Sequence, residues 1–369
     1  MTMTDHLLGL TDELPRAGRV SGYVKIPFSS DLSAYGFIPL PIAIVSGSDG
    51  PTVLVLAGSF GDETESQVAA AQVARMLDPA TMAGRVIVVP MANQPAAHAG
   101  TRNSPVDGRN LNRSYPGDVR GTPTSIIADY IERHLMSVSD LVLDLHSDGR
   151  SIHYVPSVAI IHHPDPDLRA DRLGAAVAFG APNLLVFHSF EERNSSGAAR
   201  RAGTVRIATE MGGPDPIAAT VAGVLRALAW IGITSGVPKP PRQTCTVHVI
   251  RQDKDFIYAL HDGVFEPLVA LGSIVCAGDR VGLIHDPSRP FDKPIVVTSD
   301  TGGTVVCTRG PGLTARGDCV LHLAGSADAE LIAEVEAAGA MGWNGPKRGF
   351  VPAAPAPTAR QRRRKPKDS

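Results

Sequence analysis

Four short polar stretches carry the residue types that do chemistry. The first, Ala57-Gly-Ser-Phe-Gly-Asp-Glu-Thr-Glu65, contributes Asp62 and Glu63. The second, residues 100–117, contributes Arg102, Asn112 and Arg113, with Arg109 read as a solvated turn residue. The third is Asp144-Leu-His-Ser147, and the fourth, Ala208-Thr-Glu-Met-Gly-Gly213, offers Glu210. Carboxylates and an imidazole can pass protons or hold a metal ion. Arginine adds a planar fork of donors for a carboxylate or a developing oxyanion. The combination suits a polar hollow for a small anion. Other chemistries lack their signatures. There is no Gly-x-Ser-x-Gly elbow, and Gly58 and Gly61 alone make neither a Walker loop nor a dinucleotide fingerprint. Cys245, Cys276, Cys307 and Cys319 all fall in the last third of the chain, far from the four stretches and without paired spacing. They read as reduced thiols rather than as a nucleophile, a disulfide frame or a zinc knuckle.

The stretches begin where strands should end. Residues 52–57 form a continuous apolar run of strand length, and 141–145 and 205–209 also read as strands, as strands buried on both faces do. Further strands are expected at 20–26, 37–45, 86–90 and 183–187, with Pro39 and Pro41 keeping the second of these at an edge. Helical spacing marks 63–77, 124–136, 167–179 and 216–231. Strands alternating with helices imply an α/β fold, a mixed and mostly parallel sheet with helices on both faces. In such sheets ligands bind beyond the carboxyl ends of the strands.

Pro238, Pro240 and Pro241 mark a linker that closes a catalytic domain over residues 1–238. Residues 239–326 change to short β-type runs and Gly-rich turns, and are expected to form a small all-β domain, a barrel or sandwich. They contain a weak repeat, with Ala277-Gly-Asp-Arg-Val-Gly-Leu-Ile284 resembling Arg316-Gly-Asp-Cys-Val-Leu-His-Leu323. Such halves resemble lipoyl or biotinyl carrier domains, but no Lys-centred attachment hairpin is present. Residues 327–369 should form a short helix capped by Asp328 and then a disordered basic tail ending Arg360-Gln-Arg-Arg-Arg-Lys-Pro-Lys367.

The order, spacing and strand-end placement of the four stretches resemble the aspartoacylase and succinylglutamate desuccinylase family of zinc carboxypeptidase-like metallohydrolases. The likeness runs from about Pro51 to Gly213. It is nearest the deacetylases of N-acetylated diaminobutyrate, because Asp144-Leu-His-Ser is followed by Asp148-Gly-Arg-Ser and then Pro156-Ser157. The resemblance implies a hydrolase that removes an acyl group from a small N-acylated amino acid or related amide. It implies Glu210 as general base, Arg102 as the group polarising the scissile carbonyl, and Asn112 with Arg113 as the grip on the substrate carboxylate. Glu63 and His146 become zinc ligands, with Asp144 and Asp62 behind them.

One position departs from the pattern. Where the family's Gly-x-His-Gly-x-Glu loop places its first zinc-binding histidine, this chain has Phe60. A phenyl ring cannot coordinate, and a catalytic zinc needs three protein ligands and an open position. Three outcomes follow: another donor, His153, His98 or Asp62, completes the set; zinc binds weakly through two ligands; or the metal is lost. In the last case the pocket runs metal-independent hydrolysis, elimination or cyclisation, or binds a small molecule without catalysis. His162 and His163 are adjacent in an extended segment and so point to opposite faces, which argues against chelation by the pair.

Composition narrows the partners. With 35 Lys and Arg against 37 Asp and Glu, the net charge is −2, which disfavours a globally basic nucleic-acid binder. No run reaches the length of a membrane span, and Asp5 and His6 sit where a signal peptide is apolar, so a cytoplasmic enzyme is expected. The expected partner is a small acylated amino acid or amide carrying a carboxylate, with neither nucleic acid nor membrane involved; a homo-oligomer stays open.

Overall fold

The computed structural model describes residues 6–9, 12, 14, 18–189, 191–235, 245–251, 253–343 and 345. The expected proline linker and basic tail lie outside them. In chain order the first half contains β1 (His6–Leu8), β2 (Gly18–Pro27), β3 (Phe37–Ser46), β4 (Ser48–Ala57), α1 (Thr64–Met76), β5 (Ala83–Val89), α2 (Gln94–Ala99), α3 (Pro123–Tyr130), β6 (Leu141–Leu145), β7 (Ile152–Tyr154), β8 (Ser157–Ile161) and α4 (Pro166–Phe179). There follow β9 (Asn183–Phe187), α5 (Ser195–Ala202), β10 (Val205–Glu210) and α6 (Pro216–Trp230). The last third holds β11 (Thr246–Ile250), β12 (Phe256–Tyr258), β13 (Gly263–Pro267), β14 (Ile274–Val275), β15 (Arg280–His285), β16 (Ile295–Thr298), β17 (Gly303–Arg309), β18 (Gly312–Thr314), β19 (Cys319–Ser326) and α7 (Ala329–Ala340).

The main sheet runs β1-β2-β3-β5-β4-β6-β10-β8-β9-β11-β19-β17-β14, and its centre, β5, β4, β6 and β10, is parallel. Alternation along the strands divides the core in two. Val53, Val55, Leu141 and Leu143 pack on one face with α1, α4 and α6, while Leu54, Leu56 and Val142 pack on the other with α3 and α5. The central strands therefore carry apolar residues facing both layers, with Asp144 in β6 and Arg206 and Thr209 in β10 as polar exceptions.

The expected edge strand needs correction. β3 lies inside the sheet, but β5 pairs with only Ala43 to Ser46 of it, whereas β2 pairs with its full length. Pro39 and Pro41 thus occupy the part of β3 that has one strand neighbour, where a missing N–H costs no ladder bond. The helix expected over 124–136 is also more varied: the helical backbone runs on from α3 through a wider turn, Ile131–Leu135, and a tight last turn, Met136–Val138.

The last third contributes β11, β17 and β19 to the main sheet and builds a four-stranded antiparallel sheet, β16-β15-β13-β18. The sequence repeat has a structural counterpart. Gly278 and Gly317 both hold positive φ, +90° and +94°, ahead of β15 and β19. In each copy the following aspartate accepts from the N–H three residues earlier, Asp279 from Cys276 (2.7 Å) and Asp318 from Ala315 (3.0 Å). Two turns of one design thus launch two strands in different sheets. Asp328 caps α7 through the Leu331 N–H, as expected. Within the described residues no helix is long and apolar enough to cross a membrane.

Candidate active site

The chain places its first carboxylate by a tight exit from β4. Gly58 has a φ of +68°, and a Cβ on Gly61 would sit 2.0 Å from the Ala96 carbonyl oxygen, so this loop packs its backbone directly on α2. The Gly61 N–H donates to the Thr101 carbonyl at 2.8 Å, which fixes the loop bearing Phe60 and Glu63 against the loop bearing Arg102. Arg102 lays its guanidinium over the Phe60 ring, with Cζ 3.6 Å from the centroid.

His146 follows the end of β6 and is 4% exposed. Thr209, on neighbouring β10, clamps its backbone: the His146 N–H donates to Thr209 Oγ1 (3.1 Å), and that hydroxyl donates to the His146 carbonyl (3.0 Å). Both ring nitrogens face carboxylates, Nδ1 at 2.8 Å from Glu63 Oε2 and Nε2 at 3.4 Å from Asp144 Oδ1. Burial opposes charge on this ring, yet the two acids outweigh it and hold the His146 pKa well above the usual imidazole value.

Asp144 is fully buried and also receives Arg206, whose Nε and Nη2 reach its Oδ2 at 3.2 and 2.5 Å. Burial pushes its pKa up, but His146 and Arg206 more than reverse this, so the carboxyl stays ionised far below the ordinary range. Arg206 also donates to Ser196 Oγ at 2.9 Å, at the start of α5. The result is one continuous line of charge, Glu63, His146, Asp144, Arg206, running from the cleft into the sheet.

Glu210 ends β10 and lines the same cleft, of about 350 Å3, as Phe60, Asp62, Glu63, Arg102, Asn112, Arg113 and His146. Burial, with the negative charges of Glu63 and Asp148 added and His146 and Arg102 opposing, pushes its pKa up to about 8. Asn112 accepts at Oδ1 from the Ser195 N–H (2.8 Å) and lines the cleft. Arg113 pairs through Nε with Glu191 at 2.8 Å. Asp62 accepts from the Arg150 N–H at 3.1 Å.

The residues that sequence reasoning did not single out fall into two groups. Arg206 and Thr209 position the histidine; a charged residue inside the otherwise apolar run 205–209 was the available signal for the first. Tyr154, Phe187 and Phe256 line the far side of the cleft. Phe256 comes from the last third of the chain, with His322 stacked behind it at 3.9 Å between ring centroids. No local pattern announces that wall, because its members are brought together by β12 and β7 pairing with β19 and β17.

The residues present do not fit a three-ligand zinc site. Among the described residues, no three His, Cys, Asp or Glu side chains gather around a point where one ion could sit. Phe60 is 5% exposed, and its ring centroid lies 5.4 Å from that of His146. Of the suggested replacements, Asp62 lines the same cleft but does not gather with Glu63 and His146 around one point among the described residues, and its Oδ2 accepts from the Arg150 N–H. His98 lines a separate groove with Tyr23, Phe37, Pro39 and Pro41. His153 is half-exposed on β7, with Nδ1 3.1 Å from Asp148 Oδ2.

A mixed sheet flanked by helices, with acids, arginines and a buried histidine at the carboxyl ends of its parallel strands, defines a zinc carboxypeptidase-like deacylase fold. The comparisons give the family. The model of the succinylglutamate desuccinylase/aspartoacylase catalytic domain matches residues 49–229. The N-alpha-acetyl-L-2,4-diaminobutyric acid deacetylase of Halomonas elongata is 35% identical over 323 residues, 86% of this chain and 94% of its own. A succinylglutamate desuccinylase/aspartoacylase from Rhodobacter sphaeroides superposes with a TM-score of 0.79 at 34% identity, covering 85% of this chain and 97% of that one. The product-bound ectoine utilization protein EutE of Ruegeria pomeroyi gives 0.81 at 32% identity, covering 86% and 98%. The chain belongs to the succinylglutamate desuccinylase/aspartoacylase family, whose members are amide-hydrolysing deacylases.

Proposed function

We propose that this protein hydrolyses the amide bond of a small N-acylated amino acid, with an N-acetylated diamino acid of the diaminobutyrate kind as the first substrate to test. The observation that carries this reading is the convergence of Arg102, Asn112, Arg113 and Glu210 on one cleft beside a rigid Glu63–His146 pair. Arg113 and the Asn112 amide hold the substrate carboxylate, Arg113 exchanging part of its contact with Glu191 for the ligand. Arg102 faces the acyl oxygen and stabilises the negative charge that grows there as water adds. Glu210 takes the proton of that water and returns it to the leaving nitrogen; a base of pKa near 8 is strong enough for the first task and acidic enough for the second. Tyr154, Phe187 and Phe256 exclude water from the opposite wall. Zinc is the cofactor the resemblance implies, but the donor set does not accommodate it, and no step above runs through a metal.

The test is release of free amine from a panel comprising N-acetyl-diaminobutyrate, N-acetyl-aspartate and N-succinyl-glutamate, by wild type and Glu210→Gln. Turnover of at least one substrate by wild type, lowered about 100-fold or more in the variant, supports the reading. Wild type that releases no amine from any of them contradicts it.

A further inference from the structure

We infer that this centre works without a catalytic zinc, and that Arg102, seated on Phe60, supplies at the acyl oxygen the positive charge that a metal would supply. The inference rests on the deacylase reading and adds that no metal ion shares the acyl oxygen with Arg102. Three observations carry it. The first is the aromatic ring of Phe60, which occupies the loop position of the missing donor and lies against His146. It offers no lone pair, and it is buried at 5% exposure. The second is the guanidinium 3.6 Å from that ring. A fixed positive charge there supplies to the acyl oxygen what a cation would otherwise supply. The third is the use made of the two remaining donors, since Glu63 and His146 bond to each other at 2.8 Å and His146 turns its second nitrogen to Asp144. Both are spent on an internal ion pair that Arg206 extends into the core.

The reaction balances without a metal. The water oxygen bonds to the acyl carbon while one of its protons passes to the Glu210 carboxylate, and the carbonyl electrons move onto the oxygen facing Arg102. As the carbonyl re-forms, the C–N bond breaks and the nitrogen takes the proton from Glu210. Amide and water give carboxylic acid and amine, and no oxidant or reductant is involved.

The experiment compares wild type, Phe60→His and Phe60→Ala as full-length chains. Each is treated with a chelator and desalted. Zinc affinity is then measured by calorimetry and folding by circular dichroism, the zinc content of each protein as purified having been determined by elemental analysis before chelation. Wild type is expected to carry below about 0.1 zinc per chain and to keep its turnover after chelation. Phe60→His is expected to gain zinc affinity by about 100-fold or more and approach one ion per chain, while Phe60→Ala, which removes the ring and adds no donor, gains none. Tight stoichiometric zinc in wild type, or wild-type turnover abolished by chelation and restored by zinc, overturns the inference. So does a folded Phe60→His that binds zinc no better than wild type; if that variant fails to fold, wild type and Phe60→Ala decide. Wild type inert toward every acylated amino acid counts against the deacylase reading instead, and the zinc affinities still decide the metal question.

Discussion

Arg102 lies with its guanidinium 3.6 Å above the ring of Phe60, held there by the backbone bond from Gly61 N–H to the Thr101 carbonyl next to it. The contact ties the residue that departs from the family pattern to one that follows it. If Arg102 is the electrophile, Arg102→Met lowers kcat by about 100- to 1000-fold, with a smaller change in KM, and Arg102→Lys recovers part of the loss. Steady-state kinetics on the best substrate of the panel reads this directly. Equal activity of Arg102→Met and wild type would remove the arginine from the chemistry.

The pH dependence of turnover should follow Glu210. Its pKa is pushed up to about 8, so the carboxylate that accepts the proton of water becomes more populated as pH rises through that value. The rate constant kcat/KM is therefore expected to climb about tenfold per pH unit below about 8 and to flatten above it. A profile already flat from about pH 6 upward would mean that the base is a different group.

Arg206 and Asp144 form a buried pair whose halves cannot be removed singly without cost. Arg206→Met leaves the Asp144 carboxylate in the core with His146 as its remaining cationic partner, and is expected to destabilise the fold by about 3–5 kcal/mol. Adding Asp144→Asn removes the stranded charge and should recover a substantial part of that loss. Urea denaturation of the two single variants and the double variant measures the coupling.

His322 gives a prediction about stability. It is 1% exposed among Phe256, Tyr154 and Phe187, neither ring nitrogen has a hydrogen-bond partner among the described residues, and burial pushes its pKa down to about 3. The folded state keeps this ring neutral while the unfolded chain takes up a proton below about pH 6.5. Stability from this group is complete above that pH and is lost as pH falls toward 3, at up to about 1.4 kcal/mol per unit. His322→Phe should flatten this dependence. Denaturation midpoints at about pH 7 and about pH 5 for both proteins provide the check.

The central site was legible because its residues sit at the ends of largely apolar strand-length segments. Three buried parallel strands, β4, β6 and β10, place Glu63, His146 and Glu210 at one edge, and the rule that ligands bind there needs nothing beyond the order of the strands. The placement of Phe60 against His146 follows from the same geometry. What local sequence cannot show is contact across distant segments. Arg206 meets Asp144 because β10 pairs with β6 in a register that sets Ala208 opposite Asp144, so Arg206 lies two residues before the opposing position. Phe256 reaches the cleft through β12 pairing with β19. Prolines in β3 misled by their usual meaning, since the sheet continues past that strand while leaving their segment unpaired on one side.

The hydrolytic role of the cleft is tested most directly by turnover of the preferred N-acyl amino acid in H2 18O. Mass spectrometry should find one heavy oxygen in the released carboxylic acid and an equal amount of unlabelled free amine. Label-free products, or a product lighter than the substrate by one water, would show that the bond is not broken by water and would contradict the account.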